Sequence, residues 1–476
     1  MWAWAELAFA APPSKPCGTR EQLAAAPLQR RGWISAAAGG ALDERDAYDV
    51  PSSRSSEHFI LRWGPAGPPD PTDVQRALDA FELAWDVEVE RLGHRPPYGS
   101  SLYRFNVYVG DTGGGTPLSY GAGGYQTFDV EGFPMIVVAR NSFVDPDFLE
   151  HTAVHEFYHA IQSETGRFPY DGISAWYWEA TAEWAAIEAA PDNPAQGVFA
   201  PGYVWLPEVG VEAFDYPDQG TLVELHQYGA FLFAYDLAQV LGTDVVTETW
   251  KDESQTPDPW SVMARRADAA GYDLRDLWLD HLAGSVILDD HPLAVWLEPH
   301  FNAMERQYPG ESVVTVSVSG EGGEGRLVDE SAPARHGAAV IGFDFPVDGV
   351  VHLRVEGAAQ GDRGSPASWG GRVVIDRADG PERLELPFDG RVAELDVDAR
   401  GDDLVVVIGA DTPDDAAWAV ERFPLKYDFS VTPPDARPRR LPVPRSCDGS
   451  GVGGGVSGLA VAAAAALVTR RRRVGP

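Results

Sequence analysis

Residues 151–165 read HTAVHEFYHAIQSET, and within them His155-Glu156-Phe157-Tyr158-His159 sets two histidines four positions apart with a glutamate between them. The run lacks Gly and Pro, and Pro146, with Asp145 or Asp147 as cap, supplies a helix start just upstream, so the pattern predicts a helix. Four residues are about one helical turn. Both imidazoles then project from one face and can meet a single ion at roughly 2.0–2.1 Å, the distance zinc asks of nitrogen. Glu156 lies beside them, where a general base would act. Eleven histidines in 476 residues make a chance HExxH rare, on the order of 0.02 per chain.

A hydrolytic zinc site needs a third protein ligand and one vacant position. The extended motif, with glycine three and histidine six residues after the second histidine, is absent, because those positions are Gln162 and Thr165. His151 precedes His155 by one turn but lies two turns, about 12 Å, from His159, which puts it on the helix surface or behind a ligand. The remaining candidate is Glu179 in WYWEATAEW, residues 176–184, which comes 20 positions after His159. That length lets the first helix end near Gly166, turn through Pro169 to Gly172, and return as an antiparallel helix aiming a carboxylate at the ion. Glu183 lies one turn further on the same face, placed to accept the outer N–H of a ligating histidine. The alternative makes both glutamates solvent-facing charges, against which the flanking tryptophans argue for burial.

Outward from this motif, His58 to Trp63, Tyr103 to Val109 and Met135 to Ala139 read as strands, and Pro71 to Leu92 as an amphipathic helix. Gly113 to Tyr125 suits turns. Ala122 to Thr127 suits either an ordinary hairpin or an edge that binds an extended peptide by strand addition. Helices dominate as far as residue 305. Beyond Pro309, short alternating runs (Val313 to Val318, Ala338 to Phe345, Val350 to Val355, Arg372 to Ile375, Leu404 to Ile408) separated by Gly, Asp and Pro predict an antiparallel sandwich. The expected architecture is an α+β catalytic domain at 57–305, an all-β sandwich at 310–433, a Pro/Gly-rich linker at 434–451 and a terminal apolar segment at 452–473. Residues 12–56 show no sustained period and read as a linker or pro-like segment.

Composition narrows the partners. Seventy-two acidic against 37 basic side chains leave a formal charge of -35, which repels nucleic acid. Carboxylates can hold calcium, but no calcium motif occurs. The two cysteines, Cys17 and Cys447, lie near opposite ends, outside anything that reads as a packed core, and give no disulfide framework. MWAWAELAFAA at 1–11 reads as a shortened export signal, or else as a frayed apolar start, since it lacks an early cation and Glu6 interrupts it. At the other end Val452 to Val468 is just long enough to span a bilayer core, and Arg470 to Arg473 would mark its cytoplasmic side.

HEFYH followed by WEATAEW resembles the gluzincin peptidases, the thermolysin-like class with a His2Glu zinc site. The resemblance implies a zincin-like fold, one catalytic zinc on His155, His159 and Glu179, Glu156 as general base, and a peptide or protein substrate. It departs at Glu183, where thermolysin-like enzymes carry Asp. Residues 57–305, including YGAFLFAYDLAQVLG at 228–242, are similar to hyicolysin-like and myxobacterial metalloproteases. A donor facing the oxyanion is expected from the downstream part of such a domain. Tyr228 and His226 are the candidates, with Tyr228 preferred, and a buried core tyrosine is the competing reading. Cys447, its Gly-rich neighbours, the apolar segment and the arginines resemble the myxobacterial C-terminal sorting signal. That resemblance implies processing at Cys447, recognition by sorting machinery and attachment to the outer envelope or cell surface. A different class also fits the scaffold: a catalytically silent adhesion or carbohydrate-binding protein, against which an intact Glu156 argues.

Overall fold

Short strands, the inner ones buried along nearly their whole length, build a mixed sheet from β1 (Lys15–Cys17), β2 (Ser52–Ser55), β3 (Phe59–Trp63), β4 (Phe105–Gly110), β5 (Ala122–Phe128) and β6 (Pro134–Ala139). The order is β1-β5-β6-β4-β3-β2, with β3, β4 and β6 parallel, β5 antiparallel to β6, and β1 parallel to β5. Side chains alternate between the faces of a strand. Leu61, Val107, Val109, Ile136 and Val138 therefore share one core with the helices Pro71–Trp85 and Pro146–Thr165, while Tyr108, Met135 and Val137 join Val50 and Tyr125 in another. The computed structural model describes residues 15–17, 19, 42–67, 70–214, 222–286, 291–308, 315–318, 322–328, 331–343, 348–358, 367–400, 402–412 and 422–432. The expectations at 1–11, 434–451 and 452–473, Cys447 among them, lie outside the described residues.

The helix bearing HExxH begins where Asp145 accepts hydrogen bonds from the backbone N–H groups of Asp147 and Phe148. Pro146 sits at its first turn, and Gly166, in the left-handed region at φ 54°, ends it. Its partner, Ala175–Ala189, packs against it and against Phe231–Leu241. Trp176, Trp178 and Trp184 are buried, so the Glu179 helix is enclosed on several sides rather than lying on the surface. The amphipathic helix expected over Pro71 to Leu92 changes hydrogen-bond pattern at Asp86, continuing as a π-helical stretch over Asp86–Arg91.

The chain divides into two compact units. Among the described residues, one comprises those up to 198 and 227–271, and the other 199–214, 222–226 and those from 272 to 432. This corrects the boundary expected at 305–310. In the second unit Trp278 and Leu279 of the helix Leu274–Val286 lie against Gly409 and Gly370, where any Cβ would fall 2.4 and 2.6 Å from the nearest ring or methyl atom. Glycine at those two strand positions clears room for the helix, which ties it to the sheets rather than to the HExxH unit.

Those sheets each hold five strands among the described residues. One, in the order β13-β14-β10-β16-β8, is built from β8 (Gly322–Leu327), β10 (Val350–Gly357), β13 (Phe388–Asp389), β14 (Val392–Asp398) and β16 (Leu425–Thr432). The other, β12-β11-β15-β9-β7, uses β7 (Thr315–Val318), β9 (Ala338–Phe343), β11 (Ser368–Asp376), β12 (Glu382–Leu386) and β15 (Asp403–Asp411). The pairings are antiparallel except that β7 runs parallel to β9. Val351, Val355 and Phe429 from one sheet share a core with Ile341, Val373 and Val406 from the other. No single helix among the described residues is long and apolar enough to cross a membrane.

Candidate metal centre

The two helices of the first unit place His155 and His159 on one and Glu179 and Glu183 on the other, and all four side chains are nearly or fully buried. Their donor atoms converge. His155 Nε2 lies 3.1 Å from His159 Nε2, and Glu179 Oε2 lies 3.2 Å from the former and 3.4 Å from the latter. A tetrahedral ion bonded to N and O at 2.0–2.1 Å requires ligand–ligand edges of about 3.3–3.4 Å. The three edges therefore fit a zinc-sized cation without rearrangement. Buried Glu179 carries charge because of its neighbours: burial alone would raise its carboxyl, but His159 and His155 hold it well below the ordinary value.

The outer nitrogen of His159 is hydrogen-bonded, which sets its tautomer, whereas that of His155 has a close charge contact with Glu183. Glu183 Oε1 lies 2.9 Å from His155 Nδ1, and Gln162 Oε1 lies 2.6 Å from His159 Nδ1. The amide of Gln162 cannot be reversed without loss, since its nitrogen donates to Trp178 O at 2.9 Å and Thr181 Oγ1 at 3.0 Å. The Nδ1 of His159 therefore carries the proton and its Nε2 can present a lone pair to the common point, and the Glu183 carboxylate beside His155 Nδ1 favours the same arrangement there once a cation is bound. His151, expected on the surface or behind a ligand, is buried behind one. It lies 3.2 Å from Glu183 Oε1 and 2.8 Å from Gln196 Oε1, so its helix face is turned inward.

Glu156 is fully enclosed, and burial raises its carboxyl despite the opposing pull of His155 and His159. That direction suits a group that must accept a proton and return it. Its approach to the sheet depends on Gly124. A Cβ there would sit 2.8 Å from Thr152 Cγ2 and 3.0 Å from Glu156 Cγ.

Tyr228 is buried, with its ring centred 6.2 Å from that of His155, and burial followed by the charge of Glu179 raises its phenol. His226 belongs to the second unit, where its ring lies 4.9 Å from that of Tyr203. Tyr170, which no sequence pattern singled out, donates to Glu179 Oε1 and so holds the oxygen that does not face the histidines.

One expectation is overturned outright. Cys17 is not remote from a core: it is 7% exposed, and its Sγ lies 3.5 Å from His159 Nε2. Cys17, His155, His159 and Glu179 form one group whose ligand atoms all lie within 4.8 Å of one another, and they can hold a metal ion. Thr19 comes with it, donating from Oγ1 to Glu156 Oε2 at 2.9 Å. Among protein groups alone, burial and the carboxylates of Glu156 and Glu179 push the Cys17 thiol up. A divalent cation inverts that balance, because a coordinating thiol loses its proton outright. A three-residue strand within an aperiodic segment leaves no pattern from which this position could be read.

A family model described as a family of unknown function, DUF6055, matches residues 37–380, well over half of the sequence. The chain belongs to the DUF6055 family. The matched stretch contains HExxH, Glu179 and Tyr228, whereas Cys17 and Thr19 precede it. No curated protein sequence matches this DUF6055 chain. A solved structure that it matches is a family GH115 4-O-methyl-α-glucuronidase with specificity for decorated arabinogalactans, at 10% identity and a TM-score of 0.15. That match covers 60% of this chain and 39% of the glucuronidase, so the chain spans well under half of that enzyme's length, and at this TM-score the likeness carries no argument about fold or activity.

Proposed function

We propose that this chain is a zinc-dependent endopeptidase of the gluzincin type on a zincin-like scaffold. The observation that carries the reading is the convergence of His155 Nε2, His159 Nε2 and Glu179 Oε2 at tetrahedral edge lengths with the enclosed carboxylate of Glu156 beside them. A site serving only to store or sequester zinc has no need of Glu156. Export through residues 1–11, anchoring through 452–473 and processing at Cys447 belong to the same proposal.

His155, His159 and Glu179 hold the ion, and zinc, when bound, supplies Lewis-acid chemistry that brings the pKa of water to near 7 and polarises a carbonyl. Glu156 takes the proton of the water that attacks the scissile carbonyl carbon. It then returns that proton to the amide nitrogen as the C–N bond breaks, leaving a carboxylate and an amine. Tyr228 is the phenol assigned to the carbonyl oxygen as it gains negative charge. Tyr170 keeps Glu179 from turning its second oxygen into the cleft.

The test compares wild type with Glu156→Gln for zinc content and for cleavage of a quenched random-peptide library. The expected result is one zinc in both proteins and a loss of cleavage of about 10²–10⁴-fold in the variant. Zinc in both with no cleavage by either moves the weight to a latent form or to a binding role. Absence of zinc from the wild type refutes the site.

A further inference from the structure

We propose that Cys17 is an inhibitory fourth ligand and that the segment bearing Cys17 and Thr19 holds this site in a latent form. The inference rests on the metal-site reading above and adds regulation to it. Zinc bound by thiolate at about 2.3 Å and by imidazole at about 2.0–2.1 Å requires an S···N edge of about 3.6 Å. Cys17 Sγ and His159 Nε2 are 3.5 Å apart. Catalytic zinc has three protein ligands and one open position, whereas four protein ligands close it.

Two further contacts of the same segment point the same way. Thr19 Oγ1 donates to Glu156 Oε2 and accepts from the Gln126 backbone N–H at 2.7 Å, which ties the base to the sheet edge. Glu156 Oε1, fully buried beside Gly124, has no hydrogen-bond partner among the described residues, so the Thr19 hydroxyl is the group that occupies this carboxylate. β1 also lies along β5, pairing Lys15 with Ala122 and Cys17 with Gly124. That is the edge an extended peptide would take by strand addition. The metal position, the base and the substrate edge are thus all covered by one short piece of chain. A permanently structural zinc site would gain nothing from a threonine on Glu156. The piece lies N-terminal to the residues that define the family, which is where a removable element can be added without altering the scaffold.

The test uses the full-length chain with Cys447→Ser, so that Cys17 is the sole thiol, loaded with cobalt(II) as a spectroscopic substitute for zinc. A sulfur-to-cobalt charge-transfer band is expected and is absent once Cys17→Ala is added. The zinc-loaded double variant is expected to cleave the quenched peptide library about tenfold or more faster, since activity scales with the open fraction of sites. Equal metal content with no such band and equal cleavage overturns the proposal. A band with no gain in cleavage also overturns it, making Cys17 a permanent structural ligand. Should Cys17→Ala impair folding, iodoacetamide labelling of the Cys447→Ser chain serves instead. Labelling is expected to be slow with zinc bound and at least about tenfold faster after chelation, whereas equal rates overturn the proposal. Absence of metal from every variant is a distinct failure, because it removes the metal-site reading itself.

Discussion

Replacing Glu183 by Gln removes a charge while keeping a shape, which isolates what that carboxylate does for the metal. Glu183 Oε1 takes His155 Nδ1 at 2.9 Å and His151 Nε2 at 3.2 Å, and the side chain is 1% exposed. Burial would raise its carboxyl, yet His151 and His155 bring it down to about 2, so it is an anion wherever the protein is folded and near neutral pH. An anionic acceptor on Nδ1 makes Nε2 a stronger donor to a cation. A neutral amide oxygen still orients the ring but polarises it less, and a hydrogen bond to a charged group is worth about 1.5–3 kcal/mol against about 0.5–1.5 for a neutral one. The difference, about 1–2 kcal/mol or about 5–30-fold, overlaps the lower part of the 10–100-fold loss of metal affinity typical when an outer partner is changed. Competition for zinc against a chromophoric chelator, at fixed pH and with folding followed by circular dichroism, measures it. Glu183→Gln is expected to weaken binding about 5–30-fold, and Glu183→Asp, which keeps the charge but is shorter by one methylene, to fall between. A folded Glu183→Gln that binds zinc within about twofold of wild type refutes the claim that this carboxylate tunes the ligand.

Gly124→Ala drives a methyl into Thr152 Cγ2 at 2.8 Å and Glu156 Cγ at 3.0 Å. It is expected to cost about 1–3 kcal/mol and to lower Tm by several degrees, and a melting curve superimposable on wild type would show that β5 and the HExxH helix are not in such close contact. His94, buried with Nε2 3.2 Å from Tyr158 OH, is depressed to about 3 by burial and then by Lys251. The unfolded chain takes up this proton first, so the His94 contribution is fully present above pH about 6.5 and is lost as pH falls toward 3, by an upper limit of about 5 kcal/mol. Urea denaturation between pH about 4 and 7 is expected to be less acid-sensitive in His94→Gln, and an unchanged pH slope rules His94 out as a source of that sensitivity.

The parts of the fold that were legible are those whose apolar pattern is strong within a single element. β4 and β6 read as short, largely apolar runs because both of their faces are covered, one by two helices and the other by a smaller core. The HExxH helix carries its own punctuation in Asp145, Pro146 and Gly166. β8, β14 and β16 were not anticipated because their outer faces carry Glu, Lys, Arg and Asp, and β8 is half glycine, so little apolar signal remains. The helix Leu274–Val286 was assigned to the wrong unit for another reason. An apolar stripe reports that a helix packs, but not on what, and only the glycines opposite Trp278 and Leu279 identify its partner.

The site divides along the same line between local and distant information. His155, Glu156 and His159 could be read because helical geometry alone brings them together, and Glu179 because two tryptophan-flanked turns and a short loop leave it one reasonable place. Gln162 enters the sequence reading only as a departure from another motif, although its amide oxygen takes the hydrogen bond of His159 Nδ1. Cys17 and Thr19 lie more than 100 positions from the residues of the sheet and helix that they touch. A contact at that separation leaves no trace in spacing, and loop-closure entropy opposes it unless several interactions form together. Here a strand pairing, a thiol beside three ligands and a hydroxyl on the base form together. Each alone is weak, so losing one should loosen the others, and a segment held by such mutually dependent contacts can leave the cleft without unfolding the scaffold it inhibits.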